Sequence, residues 1–195
     1  MVSTALRNVC RGEHFDVSKL GAPTLFFFVF SITLCRFFCQ LGGAMALHAR
    51  YAHTNLIAKD WRSLARFYEE IFGCVPVPPE RHLKGEELER GTGLAQAQLD
   101  GVHLRLPGFH GDGPTLEIFT YSRLQPRPTT AVNRPGYGHI AFEVEDVAAA
   151  RDAVVGAGGA PVGEIVTIRI ASGGTVTWCY AADPEGNIIE LQSWA

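Results

Sequence analysis

The chain has 195 residues, of which 47% are hydrophobic and 19% are charged, a balance typical of globular proteins and unlike that of disordered ones. Its net charge of −3 and the lack of a lysine and arginine cluster give no reason to expect nucleic acid or an anionic membrane surface as a partner. Five cysteines without a CxxC pair indicate neither a disulfide framework nor a thiolate zinc site.

The start of the chain is unlike the rest, because residues 20–44 are strongly apolar. The uninterrupted apolar run from Leu25 to Cys35 is shorter than the ~20 residues that a membrane span needs. A signal peptide, a membrane anchor and a mis-assigned start ahead of Met45 all stay open. We therefore expect a leader at 1–45, and a membrane partner only if that leader is a genuine anchor.

Beyond the leader we expect one folded domain at 46–195. Its two cysteines, Cys74 and Cys179, are expected to be buried free thiols. Free thiols suit a reducing compartment, so the domain is expected in the cytoplasm unless residues 20–44 direct secretion or anchoring.

Two stretches of the domain repeat one pattern, HTNLIAKDWRSLARFYEEIFG from His53 and HIAFEVEDVAAARDAVVGAGG from His139. In each, an aspartate follows the histidine by seven residues and a glycine follows the aspartate by thirteen (Asp60 and Gly73, then Asp146 and Gly159). The aspartates are good helix N-caps and the glycines are good helix C-terminal stops. Each stretch therefore predicts a strand followed by an amphipathic helix of about three turns.

Alternating, strand-like segments follow each predicted helix, at 95–106 and 115–122 and then at 163–170, 175–181 and 187–194. The polar segment 78–93 has no counterpart in the second half and is interpreted as an insertion or mobile loop. The fold class is therefore predicted as α+β, with two βαβββ modules at about 50–125 and 135–195.

Four polar residues occupy equivalent places in the two modules. The first strands carry His53 and His139, and the last strands carry Glu117 and Glu190 among apolar neighbours. Because side chains alternate across a strand, all four are predicted on the sheet faces away from the helices. If the two sheets pair into an open, cup-like barrel, these faces line its inside.

Two imidazoles and two carboxylates form a donor set suited to one divalent metal ion, such as Zn²⁺, Ni²⁺, Co²⁺, Mn²⁺ or Fe²⁺. The segments quoted above, with TLEIFTY, GYGHIAFEVEDV and DPEGNIIELQ, resemble the vicinal oxygen chelate superfamily, which includes glyoxalase I, bleomycin resistance proteins and extradiol dioxygenases. The order His, Glu, His, Glu is most similar to that of glyoxalase I. The resemblance implies that His53, Glu117, His139 and Glu190 are the metal ligands.

The resemblance also implies a lyase or isomerase that acts on a small substrate with adjacent oxygens through an enediolate-like intermediate. Glu190 would be its general base, with Glu117 as the alternative, and a homodimer is expected. The inner face also carries Phe119 and Tyr121, which favour a flat, weakly charged substrate. Ile57 and Tyr121 stand where glyoxalase I enzymes usually carry an arginine and an asparagine, which argues against a glutathione-linked substrate.

Two other functions of the superfamily stay open. The first is a binding protein that sequesters an aromatic drug or antibiotic without turnover, and the second is an extradiol-type dioxygenase. The remaining polar residues are interpreted as structural: His103 and His110 as surface residues, His82 as solvated, and Asp183 in DPEGN as a turn residue.

Overall fold

The computed structural model of the protein describes residues 49–195, so the expected leader at 1–45 lies outside the described residues. Within the described part, no helix is long and apolar enough to cross a membrane. Residues 51–195 form one compact unit of mixed α and β structure.

The first module is a four-stranded sheet packed against a helix. Its elements are β1 (His53–Ile57), α1 (Trp61–Phe72), β2 (Val75–Lys84), α2 (Glu86–Thr92), β3 (Gln98–Arg105) and β4 (Thr115–Tyr121). The strand order is β1-β4-β3-β2, with β1 parallel to β4 and the other pairs antiparallel.

The second module repeats this plan. Its elements are β5 (Ile140–Glu143), α3 (Val147–Gly156), β6 (Ala160–Pro161), β7 (Val166–Arg169), β8 (Thr175–Ala182) and β9 (Ile188–Trp194). The order is β5-β9-β8-β6, β7 pairs with β8, and β5 runs parallel to β9. The two βαβββ modules predicted from the sequence are confirmed.

The interpretation of 78–93 as an insertion or mobile loop is wrong. Residues 75–84 form the edge strand β2 and residues 86–92 form α2. β2 pairs with β3 in two parts, with a register shift between Val77 and Arg81. Its counterpart in the second module is divided, since β6 and β7 pair with successive parts of β8. Polar and proline-rich composition hid the strand because β2 is an edge strand, exposed along most of its length.

The helix starts agree with the sequence. Asp60 accepts hydrogen bonds from the amides of Arg62 and Ser63, and Asp146 does the same for the first turn of α3. Helix α1 ends at Gly73 in the left-handed conformation, as predicted. The prediction for Gly159 is wrong, because α3 ends at Gly156.

Gly159 is needed for a different reason. A Cβ at this position would lie 2.4 Å from the carbonyl oxygen of Ala182 and 2.7 Å from the side chain of Val154. Only glycine therefore fits where the chain leaves α3 and meets β8.

One apolar core joins the helices to the helix-facing sides of both sheets. It includes the buried stripe of α1 (Trp61, Leu64, Ala65, Phe67 and Tyr68), with Leu104, Leu116 and Ile118 from the first sheet and Cys179, Ile189 and Leu191 from the second. Both cysteines of the domain are free and buried, as expected. Leu116 and Ile118 face this core, so Glu117 between them faces the other side of the sheet.

We expect the chain to fold when it begins at Met45, because every core residue of the described fold lies after Tyr51. The measurement is the thermal melt of the shortened protein beside that of the full chain. Insolubility, or loss of a cooperative transition that the full chain shows, would assign residues 1–44 a part in folding.

Candidate metal and substrate site

The parallel strands β1 and β4 bring together two of the four predicted ligands, His53 and Glu117. His53 Nδ1 lies 3.4 Å from Glu117 Oε1. The second carboxylate oxygen accepts a hydrogen bond of 3.3 Å from Asn55 Nδ2, two residues along β1. Glu117 is only 8% exposed, one of two buried charged residues in the described part of the chain. A buried carboxylate in this position depends on these polar neighbours.

The second pair is equivalent to the first. His139, immediately before β5, places Nε2 2.7 Å from Glu190 Oε2 on β9. The strands are again parallel, and Ala141 stands opposite Glu190 as Asn55 stands opposite Glu117. The repeat in the sequence is therefore a repeat in three dimensions, with a histidine beside a glutamate in each module.

His103 is a further member of the first pair, and its interpretation as a surface residue is wrong. It lies on β3 directly opposite Glu117, with Nε2 3.2 Å from Oε1. Burial lowers the pKa of His103, and the nearby charges of Arg81 and His53 act in the same direction, against the carboxylate of Glu117, which raises it. The neutral imidazole is thereby favoured at neutral pH.

The sequence did carry a signal for His103. The residue falls within a predicted strand, and its side chain lies on the same sheet face as that of Glu117 once β3 and β4 are paired. The equivalent position in the second module is Tyr180, opposite Glu190 on β8. Burial and the charge of Glu190 both raise the pKa of Tyr180, and its ring lies 5.2 Å from that of His139.

The four predicted ligands form two pairs and not one cluster. Among residues 49–195, no three histidine, cysteine, aspartate or glutamate side chains are arranged to hold a metal ion together. Each module thus presents half of the expected donor set on the sheet face away from its helix.

The two predicted substrate-binding residues lie further along β4 on the same face. The centroid of the Phe119 ring lies 5.8 Å from that of His103. The Phe119 ring also packs over Gly101, because a Cβ added to Gly101 would come within 2.2 Å of this ring. Tyr121 lines an open cleft of about 710 Å³ together with Leu94 and Arg123. Aromatic side chains therefore extend from the His–Glu pair toward this cleft.

Asp183 lies in the turn predicted from DPEGN, and the structure adds that its side chain is buried. It is 2% exposed and accepts four hydrogen bonds. Two come from the backbone amides of Glu185 and Asn187, one from the Asn187 side chain and one from the Tyr68 hydroxyl of α1. The turn of the second module is thus fastened to the helix of the first.

Comparison with known proteins gives the family. The model of the Glyoxalase/Bleomycin resistance protein/Dioxygenase superfamily matches residues 50–191. No curated protein matches the sequence significantly.

Solved structures of two glyoxalase family proteins share the fold. A glyoxalase family protein from Bacillus cereus has 22% sequence identity and a TM-score of 0.66, over 77% of this chain and 97% of that one. A glyoxalase family protein from Enterococcus faecalis has 22% identity and a TM-score of 0.50, over 74% of this chain and 98% of that one. The trypanothione-dependent glyoxalase I of Leishmania major has 23% identity and a TM-score of 0.48, over 74% and 86%. With the family match over most of its length and the paired βαβββ modules, this chain belongs to the Glyoxalase/Bleomycin resistance protein/Dioxygenase superfamily.

Proposed function

We propose that the protein is a metal-dependent lyase or isomerase of the glyoxalase type, which acts on a small substrate with adjacent oxygens. The observation that carries this proposal is the duplicated pair, His53 with Glu117 and His139 with Glu190, on equivalent strands of the two modules. A single half-buried His–Glu contact is common in proteins, but its repetition on the same strands points to one shared site.

The donor atoms fit a divalent metal ion. Two ligands with bonds of about 2.0–2.2 Å to one metal lie roughly 2.8–3.6 Å apart in octahedral or tetrahedral geometry. The separation of His53 Nδ1 and Glu117 Oε1, 3.4 Å, falls in this range. The contact of 2.7 Å between His139 and Glu190 is just below it and needs only a small opening. His53, Glu117, His139 and Glu190 would hold the ion.

When bound, a divalent metal supplies Lewis acidity that polarises a substrate carbonyl. The chain itself supplies the base, which removes the proton from the carbon next to that carbonyl. We assign this role to Glu190, because its carboxylate has fewer partners than that of Glu117 and its side chain is more exposed. Phe119 and Tyr121 would contact the substrate, and their aromatic surfaces favour a flat, weakly charged molecule.

A complete site requires the two pairs to come together. Since each chain holds them as separate halves over residues 49–195, we propose a homodimer in which a pair from one copy faces the complementary pair of the other. A twofold dimer would form two such sites, because its interface is self-complementary.

Binding without turnover is the second candidate, and the aromatic side chains of the second sheet favour it. Trp178 and Tyr180 meet edge to face, with ring centroids 5.0 Å apart, on the face that carries Glu190. Such surfaces bind planar molecules well. Tight binding of aromatic compounds by a protein that catalyses no proton exchange would favour this candidate over the enzyme.

The proposal is tested first by metal analysis of protein purified without added metal, and then by NMR-detected exchange of the α-proton of small α-hydroxyketones in deuterated water. We expect a stoichiometric divalent metal and an exchange rate that a chelator abolishes. Metal-free protein that gains neither metal nor exchange on reconstitution would refute the enzyme.

A glutathione-linked substrate is not expected, because Ile57 and Tyr121 stand in place of two polar anchors. With the hemithioacetal of methylglyoxal and glutathione as the substrate, we expect kcat/KM well below ~10⁴ M⁻¹ s⁻¹, the lower end of the range that is typical of enzymes. The matched comparison uses hemithioacetals of the same aldehyde with small uncharged thiols. Turnover of the glutathione adduct above that value would overturn this expectation without affecting the metal site.

A further inference from the structure

The two halves of the site hold their glutamates differently. In the first module, Glu117 Oε1 lies 3.2 Å from His103 Nε2, while Oε2 accepts a hydrogen bond from Asn55. The carboxylate is thus held on both oxygens, by β1 on one side and by β3 on the other. Its low exposure, 8%, means that few waters can replace these partners.

The second module lacks both holding residues at equivalent positions. Ala141 stands opposite Glu190 where Asn55 stands opposite Glu117, and its methyl group donates no hydrogen bond. Tyr180 stands where His103 stands in the first module. Glu190 therefore keeps His139 as its close partner, and its side chain is 18% exposed compared with 10% for Glu117.

We propose that His103, together with Asn55, is a positioning residue that orients the carboxylate of Glu117 in the site. This inference rests on the proposed function and deepens it, because it adds two residues that would orient one of the four proposed ligands. A metal ligand gains affinity when neighbouring groups fix its orientation.

The first test measures metal affinity by titrating metal-free protein with Co²⁺ and recording the visible spectrum. We expect His103→Leu to bind Co²⁺ about 10–100-fold more weakly, the usual effect of losing a group that orients a ligand. His103→Gln places an amide nitrogen near the position of Nε2, so we expect it to restore most of the affinity and the spectrum. His110→Leu, on an exposed loop, is the control and is expected to leave affinity unchanged.

The second test needs no metal. In the presence of a chelator, His103→Leu and Glu117→Gln are combined in a double-mutant cycle followed by melting temperature. If His103 holds Glu117, the double variant loses less than the sum of the single losses. The matched cycle of Tyr180→Phe with Glu190→Gln should be closer to additive.

The two proposals fail separately. If the wild-type protein binds no metal, the proposed function fails, and the double-mutant cycle alone decides the role of His103. If the wild type binds metal but His103→Leu binds it equally well, or if the His103–Glu117 cycle is additive, the positioning role is wrong and the metal site stands.

Discussion

Replacing Glu190 with glutamine is expected to lower the rate of α-proton exchange by about 10²–10⁴-fold, the usual contribution of a general base. An amide can still coordinate a metal weakly but cannot accept the substrate proton, so the rate should fall by more than the metal content. The measurement is the exchange rate divided by bound metal. Glu117→Gln is the matched control, and we expect it to lose metal and rate together.

His139→Ala tests whether His139 is a metal ligand or an ordinary surface residue. Removing one of four proposed ligands should strongly weaken metal binding, and affinity in the wild type should fall as the pH drops through the range in which imidazoles protonate. The melting temperature in chelator should hardly change, because His139 faces away from the helix-packed core. Undiminished metal binding in His139→Ala would eliminate the four-ligand site.

The largest expected loss of stability follows substitution of Asp183. Asp183→Ala removes the acceptor of four hydrogen bonds in a site that is 2% exposed, and we expect it to lower the free energy of unfolding by about 3–5 kcal/mol. Tyr68→Phe removes only one of those donors and should cost about 1 kcal/mol. Denaturant unfolding of both variants checks the difference. Equal, small losses would mean that water replaces the carboxylate.

The same cluster of Asp183 and Tyr68 makes the stability of the fold depend on pH. Burial raises the pKa of Asp183 above its ordinary 3.8, although its hydrogen bonds act to lower it. A carboxyl group whose pKa is higher in the folded state adds stability below its unfolded pKa and loses this added part as the pH rises through the folded value, while the hydrogen bonds that the carboxylate accepts remain. Burial and the charge of Asp183 also raise the pKa of Tyr68, so its hydroxyl remains a donor across the neutral range.

The sequence was enough to predict the repeat, the helix starts and the sheet face of the two histidines and two glutamates, because each depends on local rules of alternation and capping. Asp60 and Asp146 cap their helices, and Glu117 lies between two core residues, as these rules require. The family match supports the same fold. The roles of the paired residues as ligands and base stay predictions.

What the sequence did not reveal depends on pairing between strands. The position of His103 matters only once β3 lies beside β4 in a particular register. Asp183 is typical of a turn, and its burial results from the approach of Tyr68 from a helix 115 residues away in sequence. Strand β2 was missed because prolines and charged residues occur both in loops and in exposed edge strands, and the sequence alone does not distinguish the two.

The prolines of the outer edge strands have a consequence for how copies of this chain can associate. Pro76 in β2 and Pro161 in β6 lie at the free margins of the two sheets, with Pro78 and Pro79 beside the register shift of β2. A proline offers no amide hydrogen, so an incoming strand finds gaps in the ladder it would need to extend. Open-ended polymerisation by strand addition is therefore disfavoured at these margins.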